Sequence, residues 1–89
     1  MLGENVLTMY TTPWCGYCVR LKQQLDREGI AYREIDIEQD PHAAAFVVEV
    51  NNGNATVPTV AFPDGTTATN PRASLVRTRM ADLAKAAHV

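Results

Sequence analysis

Cys15 and Cys18, separated by two residues, are the residues whose types and spacing point most directly to chemistry. They are the only cysteines of the chain. The apolar residues 6–10 before them have the character of a strand, and residues 19–28 after them have helical spacing. A Cys-x-x-Cys pair at such a junction in a short chain is typical of thiol–disulfide redox chemistry. The pattern therefore predicts a redox pair in which Cys15 is the reacting sulfur.

Cys15 is predicted to lie at the N-terminus of the helix, where free N–H groups and the helix dipole favour an anion. Helix-start Cys-x-x-Cys thiols have pKa values of about 3.5–7.5, against about 8.5 for a free thiol. A lower pKa enlarges the thiolate fraction but weakens each thiolate as a nucleophile, so the two effects about cancel. The clear gain is that Cys15 becomes a good leaving group. Cys18, one turn further in, is expected to stay a thiol.

Composition narrows the class of protein. The 89 residues suffice for one domain, residues 1–89, and with 46% hydrophobic and 20% charged residues the chain is not expected to be disordered. A net charge of −2 without a basic cluster argues against nucleic acid as a partner. The longest apolar run, residues 43–48, is too short to cross a membrane, and residues 1–5 lack signal-peptide character. We therefore expect a cytoplasmic protein. In the reducing cytosol a cysteine pair is more often catalytic than structural.

The elements that must position the cysteines follow from the apolar pattern. Residues 6–10 are apolar on both faces, which favours a buried strand. The next helix should place Leu21 and Leu25 in line with Cys18 and end at Gly29. Residues 31–37 alternate and form a second predicted strand. Asp40-Pro41 has the cap and first-position proline of a second helix.

A hairpin and a last helix complete the predicted chain. Residues 59–62 and 66–69 are the hairpin strands, and residues 63–65 form the turn. Asn70-Pro71 repeats the cap-plus-proline signal before a helix that runs to near His88. Its predicted core side consists of Leu75, Val76, Met80, Leu83 and Ala87. The order β-α-β-α-β-β-α predicts an α/β fold with a four-stranded mixed sheet flanked by three helices.

This order resembles the thioredoxin fold and, within it, the glutaredoxin family. The resemblance extends over nearly the whole chain. It rests on Cys15-Gly16-Tyr17-Cys18 after the first strand and on Thr56-Val57-Pro58 about 40 residues later. It implies that Pro58 is cis and lies beside the active cysteine. Val57 would then offer its backbone to an extended disulfide substrate.

Within the family, the chain resembles the mycothiol-using mycoredoxins of actinobacteria. The matching residues are Tyr10-Thr11-Thr12, Trp14 to Cys18, Gly53-Asn54, Thr56 to Val60 and Thr69-Asn70-Pro71. Glutaredoxins that use glutathione usually have a lysine where this chain has Thr12, a proline where it has Gly16, and Gly-Gly with acidic residues after the hairpin. These differences remove expected anchors for the carboxylates of glutathione, which mycothiol lacks.

The resemblance implies a thiol–disulfide oxidoreductase that removes mycothiol from proteins by a monothiol mechanism. Its catalytic residues would be Cys15 and Cys18. The residues implied in substrate binding are Thr12, Trp14, Gly16, Tyr17, Val57, Pro58, Thr69 and Asn70. No tightly bound cofactor or metal is expected, and mycothiol would be the reducing co-substrate. Expected partners are mycothiolated proteins and, indirectly, mycothiol disulfide reductase, and the chain is expected to be a monomer.

Several alternatives stay open at the level of sequence. Cys18 is either a resolving thiol or a packing residue whose disulfide is a side reaction. Tyr17 is interpreted as lining the substrate groove and Trp14 as packing. Lys22 either stabilises charge near the site or is solvated, and His42 and His88 are predicted surface residues.

Other activities also remain open. One is a dithiol redoxin recharged by thioredoxin reductase that reduces protein disulfides such as that of ribonucleotide reductase. Another is an iron–sulfur protein, because two protomers and two small thiols could supply the four thiolates of a cluster. A purely structural binding module is the least favoured, because it gives no reason for an acid-shifted thiol at a helix start.

Overall fold

The computed structural model describes residues 6–87 as seven elements in the predicted order. They are β1 (Leu7–Thr11), α1 (Gly16–Arg27), β2 (Tyr32–Asp36), α2 (Pro41–Val50), β3 (Thr59–Ala61), β4 (Thr67–Thr69) and α3 (Ala73–Ala87). The predictions made for residues 1–5, the Ala87 side chain and His88 lie outside the described residues. Between residues 6 and 87, no helix is both long and apolar enough to span a membrane.

The four strands form one mixed sheet in the order β2-β1-β3-β4. β1 runs parallel to β2 and antiparallel to β3, and β3 pairs antiparallel with β4. Thr59 pairs with Tyr10 on one side and with Thr69 on the other. The end of β1, the start of β3 and the end of β4 therefore lie at one end of the sheet, where the cysteine loop, the Thr-Val-Pro segment and the chain after β4 come together.

Apolar clusters lie on both faces of the sheet and hold the helices there. One cluster joins β1, β3, α1 and α3 through Leu7, Met9, Leu21, Leu25, Val60, Phe62, Ala73 and Val76. The other lies under α2 and consists of Ile37, Ala43 and Val47, with Tyr10, Ile35, Ala44, Phe46 and Val57 packed against it. This arrangement confirms the thioredoxin fold and explains why β1 lacks a polar face.

Two predicted helix ends are confirmed. α1 ends in a Schellman motif, in which Ile30 N–H donates to the Leu25 carbonyl at 3.0 Å and Gly29 N–H donates to Asp26 at 3.1 Å. Gly29 has a φ of +70°, a left-handed conformation that glycine adopts without a Cβ clash. At α2, the Asp40 carboxylate accepts the N–H groups of His42 and Ala43, each at 3.1 Å. His42 is exposed, as predicted.

The sequence pattern misplaces the first turns of the other two helices. α1 begins at Gly16, directly after Cys15 and three residues before the helical spacing of residues 19–28, because the cysteine motif forms its first turn. α3 begins at Ala73 rather than directly after Asn70-Pro71. Asn70 instead adopts a φ of +46°, and its N–H donates to the Pro58 carbonyl at 2.7 Å. Asn70 therefore continues the β3–β4 ladder instead of capping a helix.

The prediction that Leu75 faces the core is also wrong. Leu75 is 45% exposed, whereas the next residue, Val76, is fully buried. Consecutive residues of an α-helix point about 100° apart, so Leu75 projects away when Val76 faces the sheet. Met80 and Leu83 are partly buried against the same cluster, as predicted.

Candidate active site

Cys15 is the N-cap residue of α1. It has an extended backbone, with φ −88° and ψ 107°, and its Sγ accepts the N–H of Cys18 at 3.0 Å. The Cys15 N–H donates to the Thr12 carbonyl at 3.3 Å, which closes the turn that leads into the helix. An N-cap side chain satisfies an N–H that would otherwise lack an intrahelical partner. The predicted position of the sulfur at the helix N-terminus is therefore confirmed.

The two cysteines form a disulfide, with their Cα atoms 5.2 Å apart. Cys15 retains 6% of its surface and Cys18 only 1%, so Cys18 is the more buried of the two. Across residues 6–87, no three His, Cys, Asp or Glu side chains are grouped as a metal site requires. The chemistry that this geometry offers is thiol–disulfide exchange at Cys15.

Thr12 is buried in the turn before Cys15. Its hydroxyl has no hydrogen-bond partner in the described part of the chain. It therefore brings a short, uncharged group to the position where glutathione-using relatives have a lysine. Gly16, the other departure, opens α1 with free space around its Cα.

Two exposed aromatic side chains flank the cysteines. Trp14 is 73% exposed, and its indole N–H donates to a Glu38 carboxylate oxygen at 2.7 Å. The interpretation of Trp14 as a packing residue is therefore wrong. Tyr17 is 63% exposed, as a residue that lines a substrate groove would be.

The Thr-Val-Pro segment lies at the same end of the sheet as the cysteine loop. The Val57–Pro58 peptide bond is cis, as the family resemblance implied. Pro58 is buried and Val57 is partly buried. The Thr59 hydroxyl donates to the Thr56 carbonyl at 2.8 Å, which closes the segment on itself.

Asn51 holds this segment in place, and the sequence reasoning missed it. Its amide nitrogen donates to Thr59 Oγ1 at 3.0 Å and to the Val47 carbonyl at 2.8 Å. Its amide oxygen accepts the Thr69 hydroxyl. This bond uses the only proton of the Thr69 hydroxyl, which keeps its acceptor lone pairs. The sequence signalled only an asparagine-rich loop after α2, with nothing to indicate a bond to two strands.

Lys22 is held by Glu34 on β2 rather than by the cysteines. Its ammonium lies 2.9 Å from Glu34 Oε2, which also accepts the Thr11 hydroxyl at 2.8 Å. The hydrogen bond from Lys22, followed by that from Thr11, lowers the pKa of Glu34 despite some desolvation. In the described chain, no hydrogen bond or ion pair joins Lys22 to either cysteine, so the contacts favour the solvated-face interpretation.

A groove of about 590 Å³ begins at Tyr17 and Asn70 and runs between α1 and the start of α3. It links two residues predicted to bind substrate, although they are 53 positions apart in the chain. The remaining lining residues are Arg20, Leu21, Gln24, Arg27, Glu28, Pro71, Arg72, Ala73 and Ser74.

Several known proteins are similar to this chain in sequence or in fold. The glutaredoxin family model matches residues 7–66. The glutaredoxin-like protein Rv3198A of Mycobacterium tuberculosis is 56% identical over 78 residues, which cover 88% of this chain and 93% of that protein. Mycoredoxin 1 of Corynebacterium glutamicum is 47% identical over 78 residues, 88% of this chain and 96% of that one. The crystal structure of the thioredoxin-like protein BC3987 superposes with a TM-score of 0.68 at 26% identity, covering 81% of this chain and 96% of that chain. With its disulfide-linked pair at the start of α1, this chain belongs to the glutaredoxin family of thiol–disulfide oxidoreductases.

Proposed function

We propose that the protein removes mycothiol from mixed disulfides on other proteins by a monothiol mechanism. The observation that supports this most directly is the position of Cys15 Sγ, which accepts the Cys18 N–H at the helix N-terminus. The same contact stabilises a thiolate both before it attacks and when it leaves. Cys15 is also the more exposed of the two cysteines.

Two exchanges complete the cycle. In the first, the Cys15 thiolate attacks the mycothiol sulfur of a protein mixed disulfide. The S–S bond breaks, the client cysteine leaves as a thiolate that takes a proton, and a Cys15–mycothiol disulfide forms. In the second, the thiolate of another mycothiol attacks the mycothiol sulfur and expels Cys15. Mycothiol is oxidised to its disulfide, which mycothiol disulfide reductase reduces.

The residues around the cysteines support mycothiol over glutathione. Thr12 supplies no cation for a carboxylate, and the chain after β4 has Asn70 and Arg72 in place of the usual glycines and acids. In mycothiol the cysteine nitrogen is acetylated and the cysteine carboxyl forms an amide with a sugar, so no peptide carboxylate is present. Mycoredoxin 1, a relative that aligns over 96% of its length, points the same way.

Seven of the eight proposed binding residues have a role that their positions permit, and the eighth, Thr69, ends β4. Val57 offers its backbone beside the cis-proline Pro58, Tyr17 and Trp14 contact the substrate with exposed rings, and Asn70 lines the groove. Thr12 and Gly16 shape the space around Cys15. The protein works as a cytoplasmic monomer on mycothiolated client proteins, without a bound cofactor or metal.

A coupled assay tests the assignment. The wild-type protein is given one peptide as a mycothiol mixed disulfide and as a glutathione mixed disulfide, each with its matching thiol and reductase. We expect kcat/KM to be higher with mycothiol. Equal or higher activity with glutathione would defeat the mycothiol assignment and leave the family assignment intact.

A dithiol redoxin is the second candidate, and the Cys15–Cys18 disulfide favours it. In that cycle Cys18 attacks the mixed disulfide at Cys15, the substrate thiol leaves, and thioredoxin reductase reduces the resulting disulfide. Steady reduction of a protein disulfide with thioredoxin reductase and NADPH as the only electron source would support this function. Absence of turnover under those conditions would exclude it.

A further inference from the structure

The groove between α1 and the start of α3 extends well beyond the cysteines. Tyr17, Arg20 and Gln24 of α1 lie on one stripe with Glu28, its C-cap residue, at spacings of three and four residues. At 1.5 Å of rise per residue, the stripe runs about 16 Å from the active-site end of the helix. At the far end, the Glu28 carboxylate pairs with Arg77 of α3 at 2.9 Å, which joins the two helices there.

The groove has an apolar floor and walls rich in hydrogen-bond donors. Leu21, which is 3% exposed, lies at its base. Arg20, Gln24, Arg27 and Arg72 line the sides, and within residues 6–87 no ion pair engages any of these three arginines. Glu28, the one carboxylate of the lining, is occupied by Arg77. An apolar base with a few convergent polar groups is the usual character of a small-molecule site.

We propose that this groove holds the hydroxyl-rich sugar end of the small thiol, with Arg20 and Gln24 of α1 as the side chains that select it. The inference rests on the proposed function. The proposal is supported because the groove is continuous with the proposed binding site: Tyr17 and Asn70 belong to both. A thiol whose sulfur reaches Cys15 past these residues has its far end directed along α1.

Hydroxyl groups suit this lining better than an apolar group would. Each hydroxyl accepts hydrogen bonds, and the planar guanidinium of Arg20 can donate two to neighbouring oxygens. The carbon face of a sugar ring can pack on Leu21 and Tyr17. α1 thereby contributes the reacting cysteine at its N-terminus and the specificity groups one and two turns later.

The test compares two substrates that differ only in the sugar. A cysteine peptide is prepared as its mixed disulfide with mycothiol and with N-acetylcysteine methylamide, which keeps the uncharged amide of mycothiol and lacks the sugars; the second is called the N-acetylcysteine substrate. We expect Gln24→Leu to raise KM for the mycothiol substrate about 3- to 10-fold and Arg20→Met to raise it about 10-fold or more, with kcat unchanged. Neither variant should change kinetics with the N-acetylcysteine substrate.

Two controls accompany the variants. Gln23→Leu makes the same change one position away, at an exposed residue that does not line the groove, and Lys85→Met removes a cation from the last turn of α3. Both should leave KM for either substrate unchanged. The N-acetylcysteine substrate also reports whether each variant is folded and active.

Two results would overturn the proposal. One is an unchanged KM for mycothiol in both variants, and the other is an equal rise in KM with both substrates, which would place the effect at the sulfur rather than at the sugar. A marked increase of the wild-type KM for mycothiol with ionic strength would also oppose it, since a neutral sugar is not screened by salt. Failure of the proposed function is distinct, because it appears as a wild-type preference for glutathione.

Discussion

The Sγ atom of Cys15 and the backbone N–H of Cys18 lie 3.0 Å apart in a hydrogen bond that caps α1. Residue 18 thus affects residue 15 through its backbone as well as through its sulfur. The backbone contact stays when the Cys18 thiol is removed by substitution. The electrostatic contribution of the helix start to Cys15 can therefore be separated from the resolving chemistry of Cys18.

Cysteine substitutions should separate the two mechanisms. Cys15→Ser should abolish turnover of every disulfide substrate, because a serine hydroxyl stays protonated and does not attack sulfur. Cys18→Ser should retain turnover of the mycothiol mixed disulfide and lose turnover with thioredoxin reductase. The measurement is NADPH oxidation in the two coupled assays. Loss of mycothiol-dependent turnover in Cys18→Ser would show that the monothiol mechanism is wrong.

The pKa of the Cys15 thiol should lie below the value of about 8.5 for a free thiol. The physical reason is the N–H of Cys18 together with the dipole of α1, both of which favour the thiolate. The rate of alkylation by iodoacetamide against pH measures it in Cys18→Ser, where Cys15 is the sole cysteine. The unfolded variant in denaturant is the control. A folded-state pKa equal to that of the control would show that the helix start does not activate Cys15.

Local signals in the sequence predicted most of the elements. Asp40-Pro41 and Gly29 mark real helix ends because a capping carboxylate and a left-handed glycine act only on backbone groups a few residues away in the chain. Cys15 was placed correctly for the same reason. The Asn70-Pro71 signal failed because a longer-range contact, the bond from Asn70 N–H to the Pro58 carbonyl, overrode the local preference.

Contacts between distant parts of the chain were not predictable in this way. Asn51 binds Thr59 and Thr69 through one amide, and Lys22 binds Glu34 across the sheet edge. Both pairings depend on strand order and register, which hydrophobic periodicity does not specify. The exposure of Trp14 likewise follows from its place on the loop rather than from its residue type.

Acid should weaken the contact that Glu34 makes with Lys22 and Thr11. Folding lowers the pKa of Glu34 from its ordinary value of 4.5, so the stabilisation is present above that value and is lost as the pH falls through the folded-state pKa. The side chains of this ion pair are 29% and 38% exposed, which limits the effect to about 0.2–1 kcal/mol. Glu34→Gln should therefore lower Tm by a few degrees at neutral pH, and the difference from wild type should vanish in acid. A Tm difference that persists unchanged at low pH would contradict this.

Two leucines should respond very differently to the same substitution. Leu25 is fully buried in the cluster under α1 and α3, whereas Leu75 is 45% exposed. Leu25→Ala should cost about 2–5 kcal/mol of unfolding free energy because it removes buried methyl groups and leaves a cavity. Leu75→Ala should change it by less than about 0.5 kcal/mol. Urea unfolding measures both, and a loss of several kcal/mol in Leu75→Ala would indicate that the outer face of α3 is buried in solution.

Thr12→Lys should move the preference of the protein toward glutathione. Thr12 lies in the turn that holds Cys15, and its hydroxyl lacks a partner in the described chain, so its removal breaks no hydrogen bond there. A lysine stem can extend to the surface and place its ammonium where a glutathione carboxylate would lie. We expect kcat/KM for a glutathione mixed disulfide to rise about 3- to 10-fold, in line with one charge-assisted hydrogen bond, while the value for mycothiol stays the same or falls.

Thr12→Met, similar in length but uncharged, is the control and should show no gain. The gain should shrink at high ionic strength because the new ammonium is exposed to screening. An equal rise in Thr12→Met would show that size rather than charge at this position limits glutathione use.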